Sequence, residues 1–460
     1  MSFPPPPYYR LHTEDFAQRR HEYYADMRRH YGDLAPIELV DGVFGYLVVS
    51  HRAAADVLHD TATWTKDSAA WAAQWPADHP ILGMLGPRPN PMFTDGADHA
   101  RHRGVTADAF AMIEPHHLRD MVRDVADRLI DTFAADGEAD LVARYARPLP
   151  SYVFNRLFGR DDFFAPRLVE GLAKMMEGGR EADAGKKAFE SYLMELIAEK
   201  RENPGRNLTT WMLQHPAGLD PVEIVHQVVL TFGAGQEPTT NLIASPLARL
   251  LRDDELYNQV VSGTLDVIPA IDRVLADQPP ISNYGAHYPR QDLTFHGRGI
   301  PAHTLVMIGY EAIGTDPQGP GCAASGRGSH LAWSMGPHAC PVPGTAMSIA
   351  ETALTQLIHR LPDLELAVPE TELRLRKGPF HHALASLPAR FSPVRVATRG
   401  EIPWPSNPFT PEASTPSTST APTSPAKPHG YESWGTWLPS SCPAGYGPGH
   451  PPATASSNPS

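Results

Sequence analysis

His330-Leu-Ala-Trp-Ser-Met-Gly-Pro-His-Ala-Cys-Pro-Val-Pro-Gly344 is crowded with residues that interrupt regular structure, and a strongly amphipathic pattern begins directly after it. Ala346, Ile349, Ala350, Ala353, Leu354, Leu357, Ile358 and Leu361 recur at helical spacing and share one face. Cys340 is therefore predicted in a tight loop just before a helix. There, unpaired backbone N–H groups and the positive helix end favour thiolate over thiol. That is the state an iron ligand needs. A small buried hydrophobe is the alternative reading of any single cysteine. The other two, Cys322 and Cys442, fall in a Gly-rich and a Pro/Ser-rich stretch, at spacings that fit neither a disulfide framework nor a paired zinc site.

Outward from this loop, the chain has 460 residues and a hydrophobic fraction of 42%, enough for one large α-rich unit with an appendage. A net charge of −13 lacks the basic excess that draws proteins to phosphate backbones or anionic lipid, so nucleic acid is not an expected partner. No apolar run approaches the roughly 20 residues of a spanning helix. The start, Met1-Ser-Phe followed by Pro4 to Pro7, has no secretory pattern. The expectation is a cytoplasmic protein with no membrane contact. From Glu401 to Ser460 the chain is Pro, Ser, Thr and Gly with too few aliphatics to offset ordering entropy. The predicted organisation is a folded unit over 1–397 and a disordered tail over 398–460.

Helical periodicity runs through Met121 to Phe133, Phe189 to Arg201, Val222 to Leu251 and Thr345 to Leu361. Pro36 to Val40 and Val43 to Val49 flank Asp41-Gly42, a hairpin signal, and a second strand-like region runs from Asp292 to Ile308. The expected class is mainly α with small β-sheets.

Two distant segments bear on Cys340. In Phe93-Thr-Asp-Gly-Ala-Asp-His-Ala-Arg-His-Arg103, the four-residue spacing puts His99 and Arg103 on one helix face, able to meet one anionic group together. In Val228-Val-Leu-Thr-Phe-Gly-Ala-Gly-Gln-Glu-Pro-Thr-Thr-Asn-Leu-Ile243, each glycine costs about 1 kcal/mol relative to alanine and Pro238 roughly 3 kcal/mol. So unfavourable a sequence predicts a deliberate kink. Pro238 has no N–H, so the carbonyl of Ala234 loses its usual helical partner and can accept from water, with Glu237 beside the gap.

In this order the three segments resemble the cytochrome P450 family. Trp333 takes the aromatic place of the family's heme loop, Gly336 its second glycine and His338 the basic residue two before the cysteine. Met335 and Val342 depart from the usual small residue and glycine. The resemblance covers about residues 9 to 397 and implies the cytochrome P450 fold with heme b on the thiolate of Cys340. It further implies His99, Arg103 and His338 on the heme propionates, with Ala234 and Gly235 on the helix across the distal face. The implied activity is a heme-thiolate monooxygenase that inserts one oxygen atom from O2 into a small organic substrate. Electrons would come from NAD(P)H through ferredoxin reductase and ferredoxin, to a monomer.

Several places depart from the family. Where it has a threonine thought to help protonate bound oxygen, this chain has Pro238, so proton delivery falls to Glu237 with solvent or to Thr239. The Glu-x-x-Arg pair reads Arg273 and Ala276; the literal match Glu177-Gly-Gly-Arg180 lies far upstream. An arginine expected five residues before Asp292 reads His287, with Arg290 nearby. The missing pair resembles an actinobacterial subset whose genes lie beside small GTPase signalling modules. These losses leave open a non-catalytic heme protein that binds a partner or senses a ligand, and also peroxide-driven oxidation. Arg119, Arg123 and Arg128 are candidates to face an acidic redox partner, and Ala69 to Pro91, with Trp71, Trp75, Met84 and Leu85, is the expected apolar lid.

Overall fold

In a computed structural model the protein is described over residues 8–165, 167, 180–317, 319 and 330–395. Cys322 and most of its Gly-rich stretch, most of Glu177-Gly-Gly-Arg180, and the predicted tail with Cys442 lie outside the described residues. Strand β1 (Tyr9–Arg10) runs parallel to β2 (Leu34–Val40), which turns at Asp41-Gly42 into antiparallel β3 (Val43–Val48). Gly42 has φ 76°, a conformation that costs glycine little. Further strands are β4 (Trp64–Thr65), β5 (Glu138–Asp140), β6 (Asn283–Pro289), β7 (Leu293–Phe295), β8 (Arg298–Ile300), β9 (Val306–Gly309), β10 (Glu365–Leu366) and β11 (Pro388–Arg390). One mixed sheet has the order β1-β2-β3-β9-β6-β4; β10-β11-β5 and the β7-β8 hairpin stand apart. The second strand-like region is thus the β7-β8 hairpin followed by β9. Strand β6 has no alternating pattern of its own and exists because β9 and β4 pair with it on either side.

The helices that position the site are α1 (Arg20–Tyr31), α2 (His51–His59), α3 (Gly96–Ala111), α4 (Pro115–Asp131), α5 (Pro148–Leu157), α6 (Arg180–Glu202), α7 (Pro221–Leu250), α8 (Ile268–Asp277), α9 (Tyr310–Gly314) and α10 (Pro343–Arg360). The four helical stretches read from periodicity fall in α4, α6, α7 and α10. Helix α4 starts earlier than its apolar pattern because Pro115, with no N–H to lose, suits a first helical turn.

Helix α7 is the axis of the core. Asp220 accepts from the N–H groups of Val222 (2.7 Å) and Glu223 (2.9 Å), and Glu223 accepts from the N–H of Asp220 (2.9 Å), a reciprocal cap. From there the helix runs unbroken through Pro238 and Pro246. It packs on α5, α8 and α10, while α10 lies along α4. Its buried Ile243 and Leu247 join Leu354 and Leu357 of α10 in the main core. The amphipathic face read for α10 is that buried face. Trp71 and Leu85 do not form a free lid: both are buried in the core beside the sheet, with Trp71 against Tyr288 at 5.7 Å between rings. Met84 remains 42% exposed. No helix among the described residues is long and apolar enough to cross a membrane.

Candidate functional site

Loop 330–342 enters α10 through two left-handed residues, Ser334 (φ 60°) and Gly336 (φ 71°). The Cys340 N–H donates to the Trp333 carbonyl (2.8 Å), and the Ala339 N–H to that of Gly336 (3.1 Å). Gly336 lies so close to the Leu58 carbonyl of α2 that a β-carbon would collide with backbone. Gly336→Ala is expected to cost about 1–3 kcal/mol in urea unfolding, since both the φ angle and the space require glycine. Cys340 is the free cysteine among the described residues and is partly exposed. Burial pushes its thiol up, against the Val342 N–H and the charge of Arg103, which favour the thiolate. Helix α10 begins three residues later, at Pro343, so desolvation by the surrounding fold opposes the helix end at this thiol.

Arg103 donates from Nη1 to the Ala339 carbonyl (2.6 Å), tying α3 to the residue before Cys340. One helical turn away, the ring of His99 lies 4.0 Å from that of His338. Two segments far apart in sequence thus meet beside the cysteine. Burial first, then the charges of His338 and Arg103, press His99 down to about 4. His338 is lowered too, mainly by burial and against the pull of Asp95. The Nε2 atom of His99 is buried with no hydrogen-bond partner. A buried imidazole nitrogen left unmatched beside a guanidinium can donate to the carboxylate of a bound group, as heme propionates require.

Asp95, which sequence reading passed over, organises this corner. It sits at the N-cap of α3, but its carboxylate is turned away to accept from the Thr65 hydroxyl and the Lys66 N–H (3.0 Å). His338 Nε2 (3.6 Å) and Arg290 (3.3 Å) face the same carboxylate. Burial raises Asp95, yet the bonds from His338, Thr65 and Lys66 outweigh it and hold the group below its ordinary range. Its place before Gly96 at a helix start was the available signal. His287 is buried with Nδ1 on the Gly285 carbonyl (2.6 Å), and burial holds it well below its ordinary value. A histidine so disfavoured in its protonated form is a weaker cation than the arginine whose place it takes.

On α7, Gly233 and Ala234 are exposed while Phe232, Gln236 and Glu237 around them are buried. On this uncovered face Pro238 leaves the Ala234 carbonyl without its helical N–H. Gly235 points elsewhere. A β-carbon there would meet the Phe154 ring of α5 at 2.6 Å, so this glycine serves helix packing rather than the open face. Glu237 is 5% exposed and forms an ion pair with Arg376, with Asn241 at 3.5 Å. Nothing in the spacing of the sequence announced Arg376. Thr239 is buried one residue beyond Pro238. The arginines considered for partner docking are largely engaged locally: Arg123 with Asp120 (2.6 Å), Arg128 with Asp124 (3.1 Å), and Arg119 against His116 (3.0 Å).

No protein-family model matches the sequence. Relatives over most of the chain do. Cytochrome P450 107B1 of Saccharopolyspora erythraea is 30% identical over 400 residues, which span 82% of this chain and 96% of that protein. The chain is a member of the cytochrome P450 family. The cytochrome P450 BJ-1 homolog of Sinorhizobium fredii is 31% identical over 366 residues, 75% of this chain and 89% of the relative. The solved structure of CYP154C4 from Streptomyces sp. W2061 superposes with a TM-score of 0.75 at 28% identity, covering 83% of this chain and 97% of that one. The fold is the cytochrome P450 fold, the cofactor of this P450 is thiolate-ligated heme b, and its relatives are bacterial P450 monooxygenases.

Proposed function

We propose that this P450 inserts one oxygen atom from O2 into a small organic substrate, with electrons from NAD(P)H through ferredoxin reductase and ferredoxin, and that Cys340 would hold the heme iron through its thiolate. The observation that carries the reading is the convergence on one loop: Cys340 before α10, Arg103 bonded to the Ala339 carbonyl, and His99 against His338 with an unmatched nitrogen. Heme b bound through a thiolate supplies the reductive activation of oxygen, the thiolate pushing electron density that favours O–O cleavage.

The chain's own residues then divide the remaining work. His99, Arg103 and His338 bind the propionates, and Trp333 holds the Cys340 N–H through its carbonyl. The carbonyl of Ala234, freed by Pro238, accepts from a water on the exposed face of α7. Glu237 passes protons to that water, with the hydroxyl of Thr239 in support. The same reading places the chain, as a cytoplasmic monomer, in the actinobacterial subset without Glu-x-x-Arg, which Arg273 and Ala276 support.

A second reading, a non-catalytic heme protein, is favoured by one specific observation. Glu237 is bound to Arg376, and Pro238 has no hydroxyl to share its task. Assay with a competent ferredoxin system and a broad compound panel separates the two. The monooxygenase reading expects oxygen-dependent product, and about tenfold slower turnover in Glu237→Gln. No product from a protein that keeps its heme would favour the second, and product with peroxide alone would remove the ferredoxin.

A further inference from the structure

We propose that Lys66 binds a propionate of heme b, standing in for the cation that His287 does not supply. The inference rests on the propionate reading of His99, Arg103 and His338. Strand β4 pairs antiparallel with β6, Trp64 opposite Pro289 and Thr65 opposite Tyr288. The next pair in that register is Lys66 and His287. Residues opposite one another in such a pair have β-carbons about 5 Å apart on one face. The charge missing from β6 is therefore present one strand across.

Lys66 is 6% exposed, and its ammonium donates to the Ala286 carbonyl (2.6 Å). An ammonium has three N–H donors, and a buried one with a single neutral acceptor carries a heavy desolvation cost. That cost brings Lys66 down to about 8, with Asp95 pulling the other way. Asp95 is already shared among the Thr65 hydroxyl, the Lys66 N–H, His338 and Arg290. Across the strand pair, the Lys66 charge also disfavours the protonated form of His287. Around Asp95 this corner thus gathers Lys66, His338 and Arg290, with His99 against His338 and its Nε2 unmatched. Donors and positive charge exceed acceptors, and a group with two carboxylates corrects the imbalance.

The test is loss of heme from the purified holoprotein to excess apomyoglobin, followed by absorbance, for heme b and for its dimethyl ester, in which both propionates are uncharged. Lys66→Met is expected to speed loss of heme b at least about tenfold, the worth of a charge-assisted hydrogen bond. Lys66→Arg should stay within about threefold of the parent. With the dimethyl ester, parent and Lys66→Met should lose heme at the same rate. Lys66→Gln carries the same comparison where methionine is not tolerated. Equal acceleration with both hemes would overturn the proposal in favour of packing, as would unchanged loss of heme b. If esterification speeds loss from the parent but Lys66→Met does not, the Lys66 assignment alone falls. If esterification has no effect on the parent, the propionate reading falls with it.

Discussion

Cys340→Ala is expected to abolish the thiolate-type Soret band of the reduced carbon monoxide complex while leaving the apoprotein folded. The loop that presents Cys340 is held by backbone groups: the residue's own N–H on Trp333, the Ala339 N–H on Gly336, and the Ala339 carbonyl under Arg103. All three survive an alanine. The side chain lost is small and partly exposed, so urea unfolding of the apoprotein should shift by no more than about 1 kcal/mol. The spectral loss should be complete, because on the proposed reading the Cys340 thiolate would hold the iron itself and not be one contact among many. Cys322→Ala and Cys442→Ala serve as controls and should keep the band. A thiolate-type spectrum surviving in Cys340→Ala would remove the residue from the site.

Much of this arrangement is legible in the sequence because it is local. Helix α10, the Asp41-Gly42 hairpin and the loop before Pro343 are each fixed by residues within a few positions of one another. The meeting of His99 with His338 is less local, yet the (i, i+4) pair His99 and Arg103 already marks a helix face for an anion. What stays hidden depends on tertiary pairing. Strand β6 has no period, so the position of His287 opposite Lys66 cannot be read before β4 is known to pair with it. Gly235 looks like part of the open face because glycine next to Ala234 gives no clue about direction, whereas its absent β-carbon is filled by Phe154. The burial of the Cys340 thiol is hidden for a related reason. Sequence shows a helix start, but the desolvation opposing it comes from the whole fold.

A second large effect is expected far from Cys340. Glu311, at the start of α9, has no exposed surface and is approached by His382 Nδ1 (3.0 Å), His21 Nε2 (3.4 Å) and Arg20 Nη1 (3.6 Å). The cluster joins α1, the end of β9 and the segment before β11. Helix α8 is held by a separate pair, Asp277 on Arg249 of α7 (2.6 Å). Glu311→Ala would leave the Arg20 guanidinium buried with the Gly378 (3.0 Å) and His381 (2.9 Å) carbonyls but no counter-charge. Removing one partner of a buried pair costs about 3–5 kcal/mol, which a urea titration resolves directly.

The pH dependence should carry the same signature. Burial raises Glu311, but His382, His21 and Arg20 hold it well below the usual carboxylate value near 4.5. Its contribution is therefore present above pH 4.5 and lost as pH falls through the lower folded value. His21 is raised above 6.5, chiefly by its bond to Glu311, so its share is present below pH 6.5 and lost as pH rises through the folded value. Glu311→Ala should flatten both limbs. Replacing both charges, Arg20→Met with Glu311→Leu, should recover most of the lost stability, because the cost lies in stranding one charge rather than in lacking the pair. A double variant no more stable than Glu311→Ala would mean that the cluster is needed for its polar contacts and not for charge balance.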